Sequence, residues 1–208
     1  MPSIYDLKPK FQGLLRPIVA VLARMGVTAN QVTLVTLLLS LTVGACIALR
    51  PMERWPLLLL PPSLFVRMAL NAIDGMLARE HGMKSPLGAI LNELSDVLAD
   101  AGLYLPFALV PGFSPFLIVT IVILSVISEM TGVVGIQIGA SRRYDGPFGK
   151  SDRAFAFGLL GLLLGLGVPA GWWLTVALVM MLAVSAATIW NRARKALRER
   201  GSRPHSRF

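Results

Sequence analysis

Six apolar runs pattern the chain, at about residues 28–49, 55–78, 87–109, 115–139, 154–168 and 171–190. Most approach the roughly 20 residues a helix needs to cross a bilayer, and the fifth is short and glycine-rich. The pattern predicts an all-α integral membrane protein, a bundle of six transmembrane helices. Ahead of the first run, Ile4, Leu7, Phe11, Leu14, Leu15, Ile18 and Leu22 recur at helical spacing, with Lys8, Lys10 and Arg16 between them. This predicts an N-terminal amphipathic interfacial helix within residues 1–26, with Pro17 placed to kink it. Residues 27–190 form the membrane domain. Residues 191–208 read as a basic, solvated and partly disordered tail near anionic headgroups.

Punctuation inside the runs refines this plan. Thr28 is placed to cap the first span. Pro61 and Pro62 are expected to bend or break the outer end of the second. Gly135 with Gly139, and Gly161 with Gly165, have the small-xxx-small spacing of helix-packing faces. Residues 140–153 mix turn residues and charges and read as an interhelical loop.

Composition and charge narrow the class. Of the 208 residues, 55% are hydrophobic and 15% charged, which suits several spans and leaves little for a soluble domain. The net charge is +9, yet the basic residues flank apolar runs, so a membrane accounts for them and nucleic acid does not. Alternate loops carry seventeen Lys and Arg against two, which predicts both termini in the cytoplasm of a multi-pass protein in the cytoplasmic (inner) membrane. The single cysteine, Cys46, excludes an internal disulfide and a thiolate-rich metal site.

Candidate chemistry interrupts this apolar background in one stretch, residues 71–96. Asn71, Asp74, Gly75 and Ala78 share one helical face; Gly88, Asn92 and Asp96 share another, and Asp100 extends that row. A short turn between two such helices brings the polar faces together. Ionisable groups at membrane depth are costly and mark a functional site. Arg67, within the second span, needs a partner there, either a motif acid or Glu129; Glu129 itself reads as structural, paired with Arg67.

The stretch resembles the signature of the CDP-alcohol phosphatidyltransferases, D-x2-D-G-x2-A-R-x8-G-x3-D-x3-D. Asp74, Gly75, Ala78, Arg79, Gly88 and Asp96 match in identity and spacing, whereas Asn71 and Asn92 replace two acids. The resemblance implies an enzyme that moves a phosphatidyl group from a CDP-linked lipid, such as CDP-diacylglycerol, to an acceptor alcohol with release of CMP. It implies metal ligation by Asn71, Asp74, Asn92 and Asp96, with Mg2+ or Mn2+ as cofactor, and Asp96 as general base. Asn30, Thr33, Gly75, Ala78, Arg79 and Gly88 are implied nucleotide contacts, and the site faces the cytoplasm. Lys150 and Arg153 are candidates for a phosphate of the acceptor or the donor lipid. A homodimer is common in the family and compatible with the glycine faces. The two asparagines leave a second reading, a catalytically weak relative that binds CDP-lipid or headgroups as a partner protein.

Overall fold

The structure is a computed structural model that describes residues 4–202, with side chains over residues 11–200. The Ile4 and Leu7 side chains of the expected amphipathic stripe, and residues 203–208 of the expected tail, lie outside the described residues. Those described are helical or irregular, with no strand. In order come α1 (Ile4–Arg24), α2 (Ala29–Leu49), α3 (Trp55–Leu58), α4 (Leu60–Glu80), α5 (Pro86–Tyr104), α6 (Pro115–Val134), α7 (Lys150–Gly165) and α8 (Trp172–Ser202). Single 3-10 turns extend α5 over Leu105–Leu109 and α6 over Gly135–Ile138.

Four segments are long and apolar enough to cross a membrane: Ala29–Leu49, Trp55–Glu80, Pro115–Ile138 and Trp172–Arg200. The chain is a multi-pass membrane protein. Helices α5 and α7 fall short of that standard for physical reasons. Glu93, Asp96 and Asp100 dilute the hydropathy of α5, and α7 has 16 residues.

Local sequence explains where the helices begin. Thr28 Oγ1 accepts from the Gln31 N–H (3.3 Å) and Gln31 Oε1 accepts from the Thr28 N–H (2.8 Å), a reciprocal cap on α2. The second run breaks at Leu59, and Pro61 and Pro62 sit in the first turn of α4, where no N–H donor is required. By contrast α1 continues through Pro17 without a break. Ser85 caps α5 by accepting from the Gly88 N–H at 2.9 Å.

Three features differ from the sequence reading. Helix α7 starts at Lys150, because Asp152 reaches back to accept from the Gly149 N–H (2.8 Å); Lys150 and Arg153 therefore stand on a first turn and not in a loop. Helix α8 runs on to Ser202 through most of the expected tail. Its face Arg192, Lys195, Ala196 and Glu199 packs on residues 135–145, which holds the extension in helical form. Gly139 is a left-handed terminator (φ 81°) and not half of a packing face, whereas Gly135 does pack, its added Cβ coming 3.4 Å from Ala196.

Two apolar clusters build the core. Leu15 and Val19 of α1 pack with Val32 of α2 and Ile73, Met76 and Leu77 of α4. The larger cluster joins Leu60, Leu103, Tyr104, Phe107, Ile118, Ile121, Phe157 and Leu174. Tyr104 stacks on Phe157 at 4.2 Å between centroids and 8° between planes. Along α4, Arg67 lies between the residues that join each cluster. Small residues allow the closest approaches. A Cβ on Gly44 would come 1.9 Å from the Gly102 carbonyl oxygen, so α2 and α5 touch backbone to backbone. Gly161 and Gly165 likewise admit Leu57 and Leu58 of α3. Gly44→Val is therefore expected to destabilise the fold by roughly 1–3 kcal/mol through overpacking, read as a lower thermal midpoint in detergent.

Candidate functional site

The polar residues gather where α4 ends and α5 and α7 begin. Asp74, on α4, is 5% exposed. The Thr33 hydroxyl lies 3.1 Å from its Oδ2 and 3.1 Å from the Ala29 carbonyl, so its one hydrogen serves either acceptor. Among the described residues Asp74 has no ion-pair partner. Asp96, on α5, is half-buried; the Lys150 ammonium pairs with its Oδ1, and its backbone carbonyl accepts from Arg67 Nη2 at 3.3 Å. Asn71 is half-buried and Asn92 exposed.

The motif glycines are filled by neighbours. A Cβ on Gly88 would come 2.8 Å from Asn30 Oδ1, so the absent side chain lets the start of α2 lie against the start of α5. A Cβ on Gly75 would come 3.2 Å from both terminal nitrogens of Arg79, which folds its guanidinium over that glycine. Ala78 is half-buried on the turn below.

Behind Asp96 lies a network of buried charges that the sequence did not reveal. Asp100, one turn further along α5, holds Arg67 of α4 at 2.6 Å and Arg153 of α7 at 3.0 Å. Arg153 also reaches Glu129 of α6 (3.0 Å), and Glu129 reaches Arg192 of α8 (3.2 Å). Arg192 adds bonds to the Ser128 and Asp145 carbonyls, at 2.6 and 3.2 Å. Arg67, Arg153 and Arg192 are at most 4% exposed. Arg67 thus pairs with Asp100 and, more loosely, Asp96 (4.0 Å), and the expected Arg67–Glu129 pair does not form. Arg153, expected to meet a phosphate, is 1% exposed and ion-paired through Nη2 with Asp100 and Glu129, while its Nη1 has no acceptor among the described residues. The available signals were Asp100's place in the Asp96 row and the mid-span position of Glu129. Arg192 gave none, since it follows the last apolar run like any flanking cation.

Residues 140–149 are fastened over this end of the bundle. Arg142 pairs with Glu93, stacks on Tyr144 at 4.1 Å and lies 3.8 Å from Glu129. Arg143 pairs with Glu199, and Lys195 with Asp145 at 3.0 Å. Hydrogen bonding to Lys195 holds the Asp145 carboxyl below the usual carboxylate range. The Phe148 N–H donates to Thr188 Oγ1 at 3.0 Å.

A groove of about 530 Å³ runs along the flank of the bundle between α4 and α7. Leu64, Phe65, Met68, Phe155, Leu159 and Leu162 give it apolar walls. Arg67, Asn71, Lys150 and Ser151 line it as well, so it leads directly to the Asp96 site.

Residues 26–190 match the CDP-alcohol phosphatidyltransferase family. The chain belongs to that family. It is a transferase of substituted phosphate groups, a class that serves phospholipid biosynthesis. It is similar to the inner membrane protein YnbA of Escherichia coli, 47% identical over 79% of this chain and 81% of that one. It is also similar to the phosphatidylinositol phosphate synthase of Corynebacterium glutamicum, 30% identical over 92% and 87%. The fold is shared with the phosphatidylinositol phosphate synthase PgsA1 of Mycobacterium tuberculosis, whose crystal structures contain CDP-DAG or manganese and citrate. The TM-score is 0.75 at 18% identity, and 92% of this chain is covered in both comparisons, with 98% and 92% of the respective neighbour chains.

The electrostatics generate a prediction. Removing Asp100 leaves Arg67 and Arg153 without their shared carboxylate. Asp100→Ala is expected to cost about 3–5 kcal/mol, or to abolish folding, whereas a substitution at the half-buried Lys150 leaves the thermal midpoint close to wild type. Unfolding curves of the two variants in detergent make the comparison.

Proposed function

We propose that the protein transfers a phosphatidyl group from a CDP-diacylglycerol-type lipid to an acceptor hydroxyl, releasing CMP. The observation that carries this reading is the placement of the Asp96–Lys150 pair beside an apolar groove that opens on the flank of the bundle. An acyl chain of the donor suits the leucine and phenylalanine walls, while Arg67, Asn71, Lys150 and Ser151 meet its phosphates. Asp96 takes the proton of the acceptor hydroxyl. The freed oxygen attacks the lipid-side phosphorus, and the bond from that phosphorus to the oxygen it shares with the CMP phosphate breaks, its electron pair leaving with CMP. Lys150 is placed to pass from the carboxylate to a phosphate oxygen as charge develops.

Asn30, Thr33, Gly75, Ala78, Arg79 and Gly88 form the nucleotide side of the site in this reading. Asn30 against Gly88 and Arg79 over Gly75 give that side its contacts. Arg153 acts as a positioning residue, holding α7 so that Lys150 reaches Asp96.

The donor set fits a hard divalent cation. Asp74 is a buried carboxylate with no ion-pair partner among the described residues, an arrangement whose cost a bound cation offsets. Asn71, Asp74, Asn92 and Asp96 supply oxygens only, which suits Mg2+ or Mn2+. When bound, the ion neutralises pyrophosphate charge. Two carboxylates and two carboxamides hold it less tightly than four carboxylates would. The reading also includes six membrane spans, with α3 and α4 together forming the second and α1 lying at the interface. The seventeen-to-two distribution of basic residues supports cytoplasmic termini and a cytoplasmic-facing site, and the Escherichia coli relative supports the inner membrane.

Purified protein in detergent, given CDP-diacylglycerol, Mg2+ or Mn2+ and a panel of alcohols, is expected to release CMP. Asp96→Asn is expected to lower that rate by about 10²–10⁴-fold while retaining the fold; release that persists in the variant counts against Asp96 as the base. In calorimetric titration with Mn2+, the double substitution Asn71→Asp, Asn92→Asp is expected to bind more tightly than wild type. Equal or weaker binding would remove the two asparagines from the ligand set.

A further inference from the structure

We infer that Lys150 is an exchangeable counterion: it holds Asp96 until a donor pyrophosphate draws it away, so that the divalent cation and the donor lipid bind interdependently. The inference rests on the transferase reading above and deepens it. Its starting point is a shared carboxylate. Asp96 stands in the proposed oxygen donor set with Asn71, Asp74 and Asn92, yet its Oδ1 pairs with the Lys150 ammonium. A carboxylate that holds an ammonium offers a divalent cation little net charge, and the ammonium itself repels the ion at short range.

The two asparagines make this competition count. Of the donor set only Asp74 and Asp96 are carboxylates. With Lys150 on Asp96, Asp74 is the one acid of the set without an ion-pair partner among the described residues. Asp100, the next acid along that row of α5, cannot substitute, because Arg67 and Arg153 hold it at 2.6 and 3.0 Å. Among the described residues no three His, Cys, Asp or Glu side chains converge as a metal site. The side chains alone therefore make an incomplete cation site, and pyrophosphate oxygens complete it.

Of the two cations paired with Asp96, Lys150 is the one able to leave. Arg67, 4.0 Å from Asp96 Oδ1, has a side chain 4% exposed and anchored on Asp100. The Lys150 and Asp96 side chains are each 30% exposed. The Lys150 backbone is fixed. Asp152 caps that turn through the Gly149 N–H, and Arg153, three residues on, is ion-paired with Asp100 and Glu129. Only the flexible four-carbon stem has to move. It has a second place to go, because Lys150 also lines the groove with Arg67, Asn71 and Ser151. A pyrophosphate at that place offers the ammonium two charged groups in exchange for one carboxylate.

The exchange withholds Asp96 as a base until a donor is present. It also couples two ligands through one side chain. Such coupling is reciprocal, so the lipid tightens the cation by the factor by which the cation tightens the lipid.

The test is Mn2+ binding to the full chain in detergent, without acceptor alcohol, followed by calorimetry and by the paramagnetic resonance of the ion. CDP-diacylglycerol is expected to tighten Mn2+ binding to the wild type by at least about tenfold. Lys150→Met is expected to bind Mn2+ about tenfold more tightly than the wild type when no lipid is present, and to gain less from the lipid. Lys150→Arg, which keeps a cation there, is expected to retain the lipid dependence. Lys84→Met, which removes an exposed cation at the α4–α5 turn, is expected to leave Mn2+ binding unchanged. Equal or weaker lipid-free binding by Lys150→Met overturns the inference, as does wild-type binding that the lipid does not alter. Absence of Mn2+ binding by both proteins, with and without lipid, overturns it too. CMP release is measured separately. Its absence with every acceptor counts against the transferase reading, while the Mn2+ titrations still decide whether Lys150 and the cation exchange at Asp96.

Discussion

Asp100 is the point on which the molecule is hung. A carboxylate in so dry a place is tolerated only when cations surround it, and two guanidinium groups from different helices do so. Arg67 ties it to α4 and Arg153 ties it to α7. Through Glu129 and Arg192 the same chain of charges reaches α6 and α8. Apolar packing between membrane helices has little power to choose one rotation over another, because lipid is as good a neighbour as leucine. Paired charges do choose, since a helix turned by one residue would strand them. The network therefore fixes the facing of five helices at once.

That frame explains why Asp96 points where it does. It stands one turn before Asp100 on the same helix, so whatever orients Asp100 orients Asp96. Arg153 and Lys150 stand in the same relation on α7, at a spacing of three. Two helical turns side by side thus carry an inner pair that is buried and structural and an outer pair that is half-buried and available. The geometry of the outer pair depends on that of the inner one.

Much of this was legible along the chain and some of it was not. Capping by Thr28 and the break at Pro61 and Pro62 depend on near neighbours in sequence, and the residues announced them. The acidic motif was readable because its spacing repeats with the helix. Partner choice among distant charges was not readable. Arg67 had the acids of the motif row and Glu129 to choose from, and only the packing of α4 and α5 side by side on α2 gives it Asp100 and not Glu129. Arg153 looked like a phosphate ligand from its place in a polar segment; the early start of α7, set by Asp152, turned it inward. Arg192 looked like one more flanking cation because burial beyond the last apolar run leaves no hydropathy signal.

The groove between α4 and α7 opens on the side of the bundle, with Phe65, Phe155 and Leu159 exposed or partly exposed along it. A lipid taking that route never leaves the bilayer plane, and neither does the lipid product that replaces it. Encounter is then a search in two dimensions, and the quantity that sets occupancy is the mole fraction of that lipid among its neighbours. Dilution with inert lipid or detergent at constant bulk concentration would empty such a groove, while any ligand arriving from water, the third dimension, would obey ordinary concentration.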